Sequence, residues 1–457
     1  MYSKNAWKKY DKESIKDLMK FNDEYIEFLS ENKTEREITT FSVNECKKLG
    51  YKDLNDVKTL KAGDKIYAVN RGKNIACFII GSEDILNGIN VLGAHIDSPR
   101  LDIKQNPLYE DSEFALLDTH YYGGIIKYQW VARPLAIHGV VVKKSGEVIN
   151  IVIGEDDKDP VLCITDLLPH LGKDKLAKTA SETIEGEGLD LTIGHMNLNQ
   201  DKDSKLKDEI LKLLKDKYNI EEDDFVSAEL EVLPQGRARS MGLDSSMVLG
   251  YGHDDKVCAY TSLRALLDTD KVTRTSCCIL VDKEEVGSIG NTGAQSKWFE
   301  TVIAEIISKM KNEYNDLMLR KTLSNSYMLS SDVSAGYDPL YKGVFEAKNA
   351  SYLGKGLTFN KYTGARGKSG CNDANPEFIA KIRKALDDDN IYYQTAELGR
   401  VDQGGGGTIA YILANLNMNV IDAGIPVLSM HAPFEVVSKV DVYEAYLGYI
   451  SFIKNLK

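Results

Sequence analysis

The sequence of 457 residues lacks the features that mark secreted, membrane-embedded and nucleic-acid-binding proteins. No stretch approaches the roughly 18 consecutive apolar residues of a membrane-spanning helix, and the polar first residues do not form a signal peptide. The 57 Lys and Arg residues are outnumbered by 69 Asp and Glu residues, so no excess of positive charge is available for phosphate groups. We therefore expect a cytoplasmic protein that binds neither membranes nor nucleic acids.

Cysteine is scarce and irregularly spaced. The seven cysteines are odd in number and include no Cys-x-x-Cys pair, so the sequence indicates neither a disulfide framework nor a thiolate zinc site. Reduced, mostly buried thiols are the simplest interpretation. Any bound metal ion would then depend on histidine and carboxylate ligands.

The remaining composition is that of a folded protein with more than one core. Hydrophobic residues make up 43% and charged residues 28% of the chain, which are ordinary values for a globular protein. Because a single core seldom grows beyond 250 to 300 residues, the length predicts two domains or one domain with a large insertion.

The pattern of apolar residues divides the chain into three parts. Residues 11–48 have helical spacing, and the short apolar runs 76–80 and 89–93 that follow predict strands. Residues 100–240 contain closely spaced strand-like segments and one charged helix at about 205–217. From about residue 245, buried strands alternate with helices, which is typical of an α/β sheet. We predict an α/β domain of residues 1–99 and 245–457, interrupted by a small β-rich domain of residues 100–244.

Polar clusters follow several of the predicted strands. Open α/β sheets bind ligands at the carboxyl ends of their strands, so these clusters are candidates for a functional site. Together they supply three histidines and several carboxylates, which suit a pair of zinc ions, or manganese or cobalt in the same geometry. The clusters are residues 93–99, 252–256, 282–287, 330–332 and 429–432.

Two of these clusters have an arrangement typical of catalysis. In the His95-x-Asp97 pair, the carboxylate can fix the tautomer of a metal-binding imidazole and raise its basicity, so we include Asp97 among the catalytic residues. Of Glu284 and Glu285, one can bind metal while the other accepts the proton of a nucleophilic water. A solvated turn without a ligand explains either pair when it is taken alone.

Adjacent acids also occur at Asp254 and Asp255. If both are buried, their mutual repulsion calls for a cation beside them, whereas exposed they would form a solvated turn. Asp332 and His431 each fit a structural role when taken alone. The case for a metal site comes from five such clusters at strand ends of one predicted domain.

Five segments carry a resemblance to a known family: His95-Ile-Asp-Ser-Pro, Gly-His-Asp254-Asp255-Lys-Val-Cys-Ala-Tyr, Asp-Lys-Glu284-Glu285-Val-Gly-Ser, Ser-Ser-Asp332 and Gly-Ile-Pro-Val-Leu-Ser-Met-His431. In order, they resemble the signature blocks of the aspartyl aminopeptidase family of two-zinc exopeptidases, and the chain looks like a bacterial member. The resemblance covers nearly the whole chain. It implies a mixed sheet with helices on both faces and an inserted β-rich dimerisation domain.

The family pattern implies a role for each matched residue. Asp254 would bridge two zinc ions, and Glu284 would act as the general base on a metal-bridging water. The further ligands would be His95 and Asp332 on one zinc, and Glu285 and His431 on the other.

The resemblance further implies an assembly and contacts with substrate. Family members form dodecamers built from dimers, in which a Pro-His-Leu loop, here containing His170, reaches a neighbouring subunit. Lys361 lies nearest to the family's cation for an acidic substrate side chain, although a plain surface loop explains it equally well. Gly405, in a glycine run before a predicted helix, could offer backbone amides to an anionic group, and a tight turn is the equal alternative.

These features predict a metalloaminopeptidase that removes N-terminal residues, including Asp or Glu, from peptides. Eukaryotic members have a His three residues beyond the Asp matched by Asp332, where this chain has Ala335, and this departure weakens the case for a strictly acidic preference. A metal-dependent deacylase of small N-acyl substrates and a non-catalytic self-assembling scaffold remain alternatives. The presence of all five inferred ligands and the base disfavours the scaffold.

Overall fold

The computed structural model describes residues 4–196 and 205–457, which divide into two compact units. The first unit consists of Met1–Asp97, Ala238–Met430 and Glu435–Lys457, and the second of Ser98–Arg237 and His431–Phe434. Residues 238–244, which the sequence pattern assigned to the inserted domain, lie in the first unit. They do so because the strand Arg239–Met241 pairs with the strand Met247–Gly250.

A nine-stranded mixed sheet forms the centre of the first unit. The strand Asn90–His95 lies between two parallel neighbours, Ser276–Val281 and Tyr327–Ser330, so all three place their carboxyl ends at one edge. These central strands are buried along nearly their whole length because both faces of the sheet are covered. In sheet order the strands are Lys52–Asp53, Lys65–Asn70, Asn74–Ile79, Ser276–Val281, Asn90–His95, Tyr327–Ser330, Asn419–Gly424, Leu357–Asn360 and Tyr393–Thr395.

Alternate side chains of the central strands enter two separate cores, as the two-residue period of a strand requires. Cys278 and Leu280 contribute to one core, whereas Cys277 and Ile279 contribute to the other. The first core is covered by the helices Ser14–Glu31, Glu35–Lys48, His253–Leu267, Pro376–Asp388 and Lys439–Asn455. The second is covered by Trp298–Lys311, Asp316–Ser324 and Ala410–Ala414. The predicted mixed sheet with helices on both faces is confirmed.

A smaller five-stranded sheet and several short turns complete the first unit. The strands of this sheet are, in order, Arg239–Met241, Met247–Gly250, Glu435–Ser438, Pro426–Leu428 and Ser334–Ala335. The 3-10 turns are Ala6–Lys9, Leu54–Asp56, Ile85–Asn87, Glu284–Val286 and Lys342–Val344.

Local sequence signals explain where the helices begin. Thr34 and Glu37 form a reciprocal capping box at the start of Glu35–Lys48. Pro376 occupies the first turn of Pro376–Asp388, where its missing N–H costs nothing. Among the helices of residues 4–196 and 205–457, none is both long and apolar enough to span a bilayer.

The second unit is built on a six-stranded antiparallel sheet. Its strands are, in order, Val148–Ile153, Leu135–Val142, Ala228–Pro234, Arg100–Asp111, Phe114–Tyr122 and Leu191–Gly194. They pack around their own apolar core, which includes the fully buried Trp130. The described helices and 3-10 turns of this unit are Lys127–Gln129, Lys173–Leu176, Gly186–Gly188, Leu206–Tyr218 and Glu222–Ser227.

Candidate functional site

Three predicted ligands converge in the first unit. His95 ends its strand, Asp332 follows the strand Tyr327–Ser330 by two residues, and Asp254 lies in the first turn of His253–Leu267. One ligand atom from each lies within 4.8 Å of the other two. His95 Nε2 is 3.1 Å from Asp254 Oδ1. The three residues are only 2%, 4% and 9% exposed, respectively, so the cluster is almost closed to bulk water.

The electrostatics of this cluster favour a cation. Burial raises the pKa of Asp255 and Asp332 well above the usual range, and neighbouring carboxylates raise it further. Burial alone would lower the pKa of His95, but hydrogen bonds with Asp254 and Asp97 raise it well above its usual value. The cluster therefore gains stability from added positive charge. Imidazole nitrogen and carboxylate oxygen are ligands that zinc accepts, so the residues present fit this metal.

The two adjacent glutamates lie in a tight turn. Glu284–Val286 is a 3-10 turn, entered through Lys283 at φ 69° and left through Gly287 at φ 93°. A carboxylate oxygen of Glu285 lies within 4.8 Å of one of Asp254, so these two side chains could share a second cation. Glu284 is placed differently, with its Oε2 at 3.9 Å from His95 Nε2. The turn thus places the Glu285 carboxylate near Asp254 and the Glu284 carboxylate near His95.

Asp97 connects the turn to the histidine. Its Oδ1 accepts the backbone N–H of Glu284 at 3.1 Å, and its Oδ2 accepts that of Glu285 at 3.2 Å. Asp97 Oδ1 also lies 3.3 Å from His95 Nδ1, which is 3.0 Å from the Asp97 carbonyl oxygen. One buried carboxylate therefore orients both the imidazole and the pair of glutamates.

Replacing Asp97 by Asn is expected to lower kcat and zinc affinity by about 10- to 100-fold each. An amide group offers one acceptor oxygen in place of two, so one of the two backbone N–H groups loses its partner. Steady-state kinetics and titration against a competing chelator measure the effects. Asp84→Asn is a matched control, because Asp84 also accepts a backbone N–H, from Leu86 at 3.0 Å, but at a remote turn. Equal behaviour of the two variants would contradict the orienting role of Asp97.

Two of the remaining predicted residues lie in the second unit. His431 begins the segment His431–Phe434, directly after Met430 of the first unit, and its Nδ1 lies 3.0 Å from the carbonyl oxygen of Gly124. His170 is exposed, three residues before the helix Lys173–Leu176.

The other two predicted substrate contacts lie in the first unit. Lys361 forms an ion pair with Asp373, which also pairs with Lys368 at 2.9 Å. Gly405 has φ 112°, and a Cβ there would lie 2.5 Å from the backbone of Ala365. Close packing alone therefore explains why this position is glycine, without a contact to substrate.

Two residues that contact the predicted ligands were not identified from the sequence. Glu435, only 1% exposed, accepts the backbone N–H of Asp254 at 2.9 Å. The sequence signal for it is an acidic residue directly before the apolar pair Val436 and Val437 in the strand Glu435–Ser438. Gly424 ends its strand so close to Asp332 that a Cβ there would lie 1.8 Å from the Asp332 carbonyl oxygen. Nothing in the local sequence indicates that approach.

Replacing Gly424 by Ala is expected to weaken zinc binding about tenfold or more, because the backbone of Asp332 must move to admit the methyl group. Zinc affinity by chelator competition measures the effect. Gly343→Ala is the control, since a Cβ there meets nothing within 4 Å. Unchanged zinc affinity in Gly424→Ala would show that Asp332 does not require this close approach.

Comparison with known proteins gives matches along the whole chain. A family model described as aminopeptidase I zinc metalloprotease (M18) matches residues 28–453. A Clostridium acetobutylicum protein described as "Probable M18 family aminopeptidase 1" is 56% identical, over 99% of this chain and 98% of its own length. The crystal structure of an M18 family aminopeptidase from Thermotoga maritima is 44% identical, covers 100% of both chains and has a TM-score of 0.96. The mApe1 dodecamer of S. cerevisiae, at 20% identity, shares the fold with a TM-score of 0.75 over 94% of this chain and 95% of that chain.

The family match and the high identity agree with the resemblance carried by the five sequence segments. All five segments fall within the matched residues 28–453. The chain therefore belongs to the M18 family of zinc-dependent aminopeptidases.

Proposed function

We propose that this aminopeptidase releases single N-terminal residues from short peptides, with two zinc ions and with Glu284 as the general base. The observation that carries the proposal is the convergence of His95, Asp254 and Asp332 within 4.8 Å, with Glu284 Oε2 at 3.9 Å from His95 Nε2. When bound, the zinc ions would polarise the scissile carbonyl and lower the pKa of a water molecule between them.

The proposed ligand roles follow the donor groups. Asp254 would serve both ions, because its carboxylate belongs to two clusters of possible ligand atoms. His95 and Asp332 would hold one ion, and Glu285 would hold the other. His431 is the further ligand of the second ion in the family pattern that the sequence resembles, and we assign it the same role here.

Glu284 has the surroundings that a general base needs. Its side chain is 15% exposed, so it is shielded from bulk water yet open to a substrate. Its backbone is fixed by the hydrogen bond to Asp97 Oδ1. We propose that Glu284 takes a proton from the attacking water and delivers it to the leaving amine.

We propose a broad preference for the N-terminal residue, with at most a modest advantage for Asp and Glu. Lys361 already pairs with Asp373, and Asp373 also pairs with Lys368. An acidic substrate side chain would have to compete with this carboxylate for the same cations. Peptides with neutral N-terminal residues are therefore expected to be cleaved as well.

The assembly and location are proposed on separate grounds. We propose a homododecamer built from dimers, as implied by the family resemblance and consistent with the dodecameric S. cerevisiae protein of the same fold. Within it, His170 would approach the active site of a neighbouring subunit. The seven cysteines are free thiols, five of them buried, which suits the reducing cytoplasm.

Release of free amino acid from matched peptides tests the proposed function. The panel pairs Asp-Ala, Glu-Ala, Leu-Ala and Ala-Ala-Ala with their N-acetylated forms, and uses zinc-loaded and chelated protein. We expect cleavage only of the unblocked peptides and only with zinc. Cleavage restricted to acylated substrates would establish the deacylase, and no turnover with zinc, manganese or cobalt would favour the scaffold.

A further inference from the structure

A buried ion-pair network adjoins the Glu284–Val286 turn and contains none of the proposed zinc ligands. Asp282, only 1% exposed, precedes the turn by two residues. Lys73 Nζ lies 3.9 Å from Asp282 Oδ2 and 3.3 Å from Glu35 Oε1. Lys73 and Glu35 are 9% and 0% exposed, respectively. A lysine ammonium is therefore held between two buried carboxylates.

The network is tied to the polypeptide on both sides of Asp282. Thr292 Oγ1 donates to Asp282 Oδ2 at 2.6 Å, and the backbone N–H of Asp282 donates to the Thr292 carbonyl at 3.4 Å. Asn74, next to Lys73 in the chain, donates its side-chain amide to the same Thr292 carbonyl. Lys73 thus reaches Asp282 from a hairpin that is itself anchored to the segment around Asp282.

Asp282 is joined almost directly to the glutamate turn, so the position of the turn depends on the position of Asp282. The backbone N–H of Ser288 donates to the Lys283 carbonyl at 2.7 Å, and that of Gly287 to the Glu284 carbonyl at 2.9 Å. These bonds make the turn a compact unit that begins directly after Asp282. A displacement of Asp282 would therefore move the carboxylates of both glutamates.

The charges around Asp282 determine whether its carboxylate stays in the observed position. The carboxylates of Glu35 and Asp97 both repel Asp282, whereas Lys73 attracts it. Breaking a buried ion pair by removing one partner leaves an uncompensated charge, which is far more disruptive than loss of a surface pair. The positive charge of Lys73 offsets this repulsion.

We propose that Lys73 is a positioning residue for catalysis, whose ammonium holds Asp282 and thereby fixes the Glu284–Val286 turn in its working geometry. This inference rests on the roles proposed above for Glu284 and Glu285. Lys73 contacts Asp282 and Glu35 and acts on the reaction through the turn.

Lys73→Met tests the inference, because it keeps a long apolar side chain and removes the charge. We expect kcat to fall about 10- to 100-fold at little change in KM, and zinc affinity to fall in parallel. Lys73→Arg should retain most of the activity. Adding Glu35→Gln to Lys73→Met removes one repelling carboxylate, so the double variant should recover part of kcat and of zinc affinity.

Lys9→Met is the matched control. Lys9 is also partly buried and pairs with a fully buried glutamate, Glu444, at 2.8 Å, but at the C-terminal helix Lys439–Asn455. It should lose thermal stability without a change in kcat or zinc affinity. Equal effects of Lys73→Met and Lys9→Met on kcat and zinc affinity, or no recovery in the double variant, would overturn the inference.

Two further measurements distinguish a failure of the Lys73 variant to fold, and a failure of the proposed function, from a failure of the positioning role. If Lys73→Met does not fold, Thr292→Val decides, because it removes the hydroxyl donor to Asp282 at nearly constant shape and should also lower kcat and zinc affinity. Wild-type kcat and zinc affinity in that variant would then overturn the inference. If the wild-type protein cleaves no peptide, the proposed function fails, whereas zinc affinity still tests the positioning role by itself.

Discussion

Replacing Glu284 by Gln is expected to lower kcat by roughly 100- to 10,000-fold and to leave the zinc content unchanged. Gln has nearly the same shape as Glu but cannot accept a proton from water. Glu284 belongs to none of the clusters of possible ligand atoms in the described structure, in keeping with its proposed role as a base and not a ligand. The anchoring hydrogen bond from its backbone N–H to Asp97 does not involve the side chain and should persist.

Metal analysis after gel filtration, combined with initial rates on an unblocked dipeptide, checks both parts of this expectation. Glu300→Gln is the control, because Glu300, in the helix Trp298–Lys311, pairs with Lys297 and is not one of the proposed site residues. Loss of zinc from Glu284→Gln would make Glu284 a ligand. Nearly wild-type kcat with full zinc content would transfer the role of base to another group.

Replacing Asp254 by Asn is expected to abolish stable binding of both zinc ions and to lower activity by about 100-fold or more. Metal ions stabilise the transition state by several kcal/mol in such enzymes, and each 1.36 kcal/mol corresponds to a factor of ten in rate. Asp254 is the one residue shared by two of the clusters of ligand atoms in the described structure. Its loss should therefore affect both metal positions together.

Thermal unfolding offers a readout of Asp254 that does not depend on activity. Zinc that binds only the folded state raises Tm, and this increase should disappear in Asp254→Asn. Asp268→Asn, at the other end of the same helix, should keep the full zinc-dependent increase. If Asp254→Asn binds two zinc ions as tightly as the wild type, the proposed bridging role is wrong.

Much of the architecture was accessible from the sequence because it depends on local patterns. The central strands are mostly apolar, and the helices carry spaced apolar residues with recognisable first turns. The strand predicted at residues 89–93 is observed as Asn90–His95. Parallel neighbours then force the carboxyl ends of such strands together, so His95 and Asp332, which are far apart in sequence, could be predicted to lie close together in the first unit.

The remaining contacts depend on distances in three dimensions that no local pattern encodes. Glu435 meets the backbone of Asp254 across 181 residues, and Lys73 reaches Asp282 from a distant hairpin. Lys361 illustrates the opposite case. The sequence indicated Lys361 as a cation for an acidic substrate side chain, but in the structure Lys361 pairs with Asp373, twelve residues further along the chain.

The order of strands in the large sheet has a consequence for biosynthesis. Asn90–His95 is flanked by Ser276–Val281 and Tyr327–Ser330, so the proposed ligand His95 emerges from the ribosome long before either neighbouring strand. At about 5 to 20 residues per second, synthesis of the intervening chain takes roughly 10 to 50 seconds. Throughout that interval His95 has no folded site around it. Metal binding at the proposed site would therefore come only after Asp332 has been synthesised, and a translation product truncated before that residue would lack the proposed site.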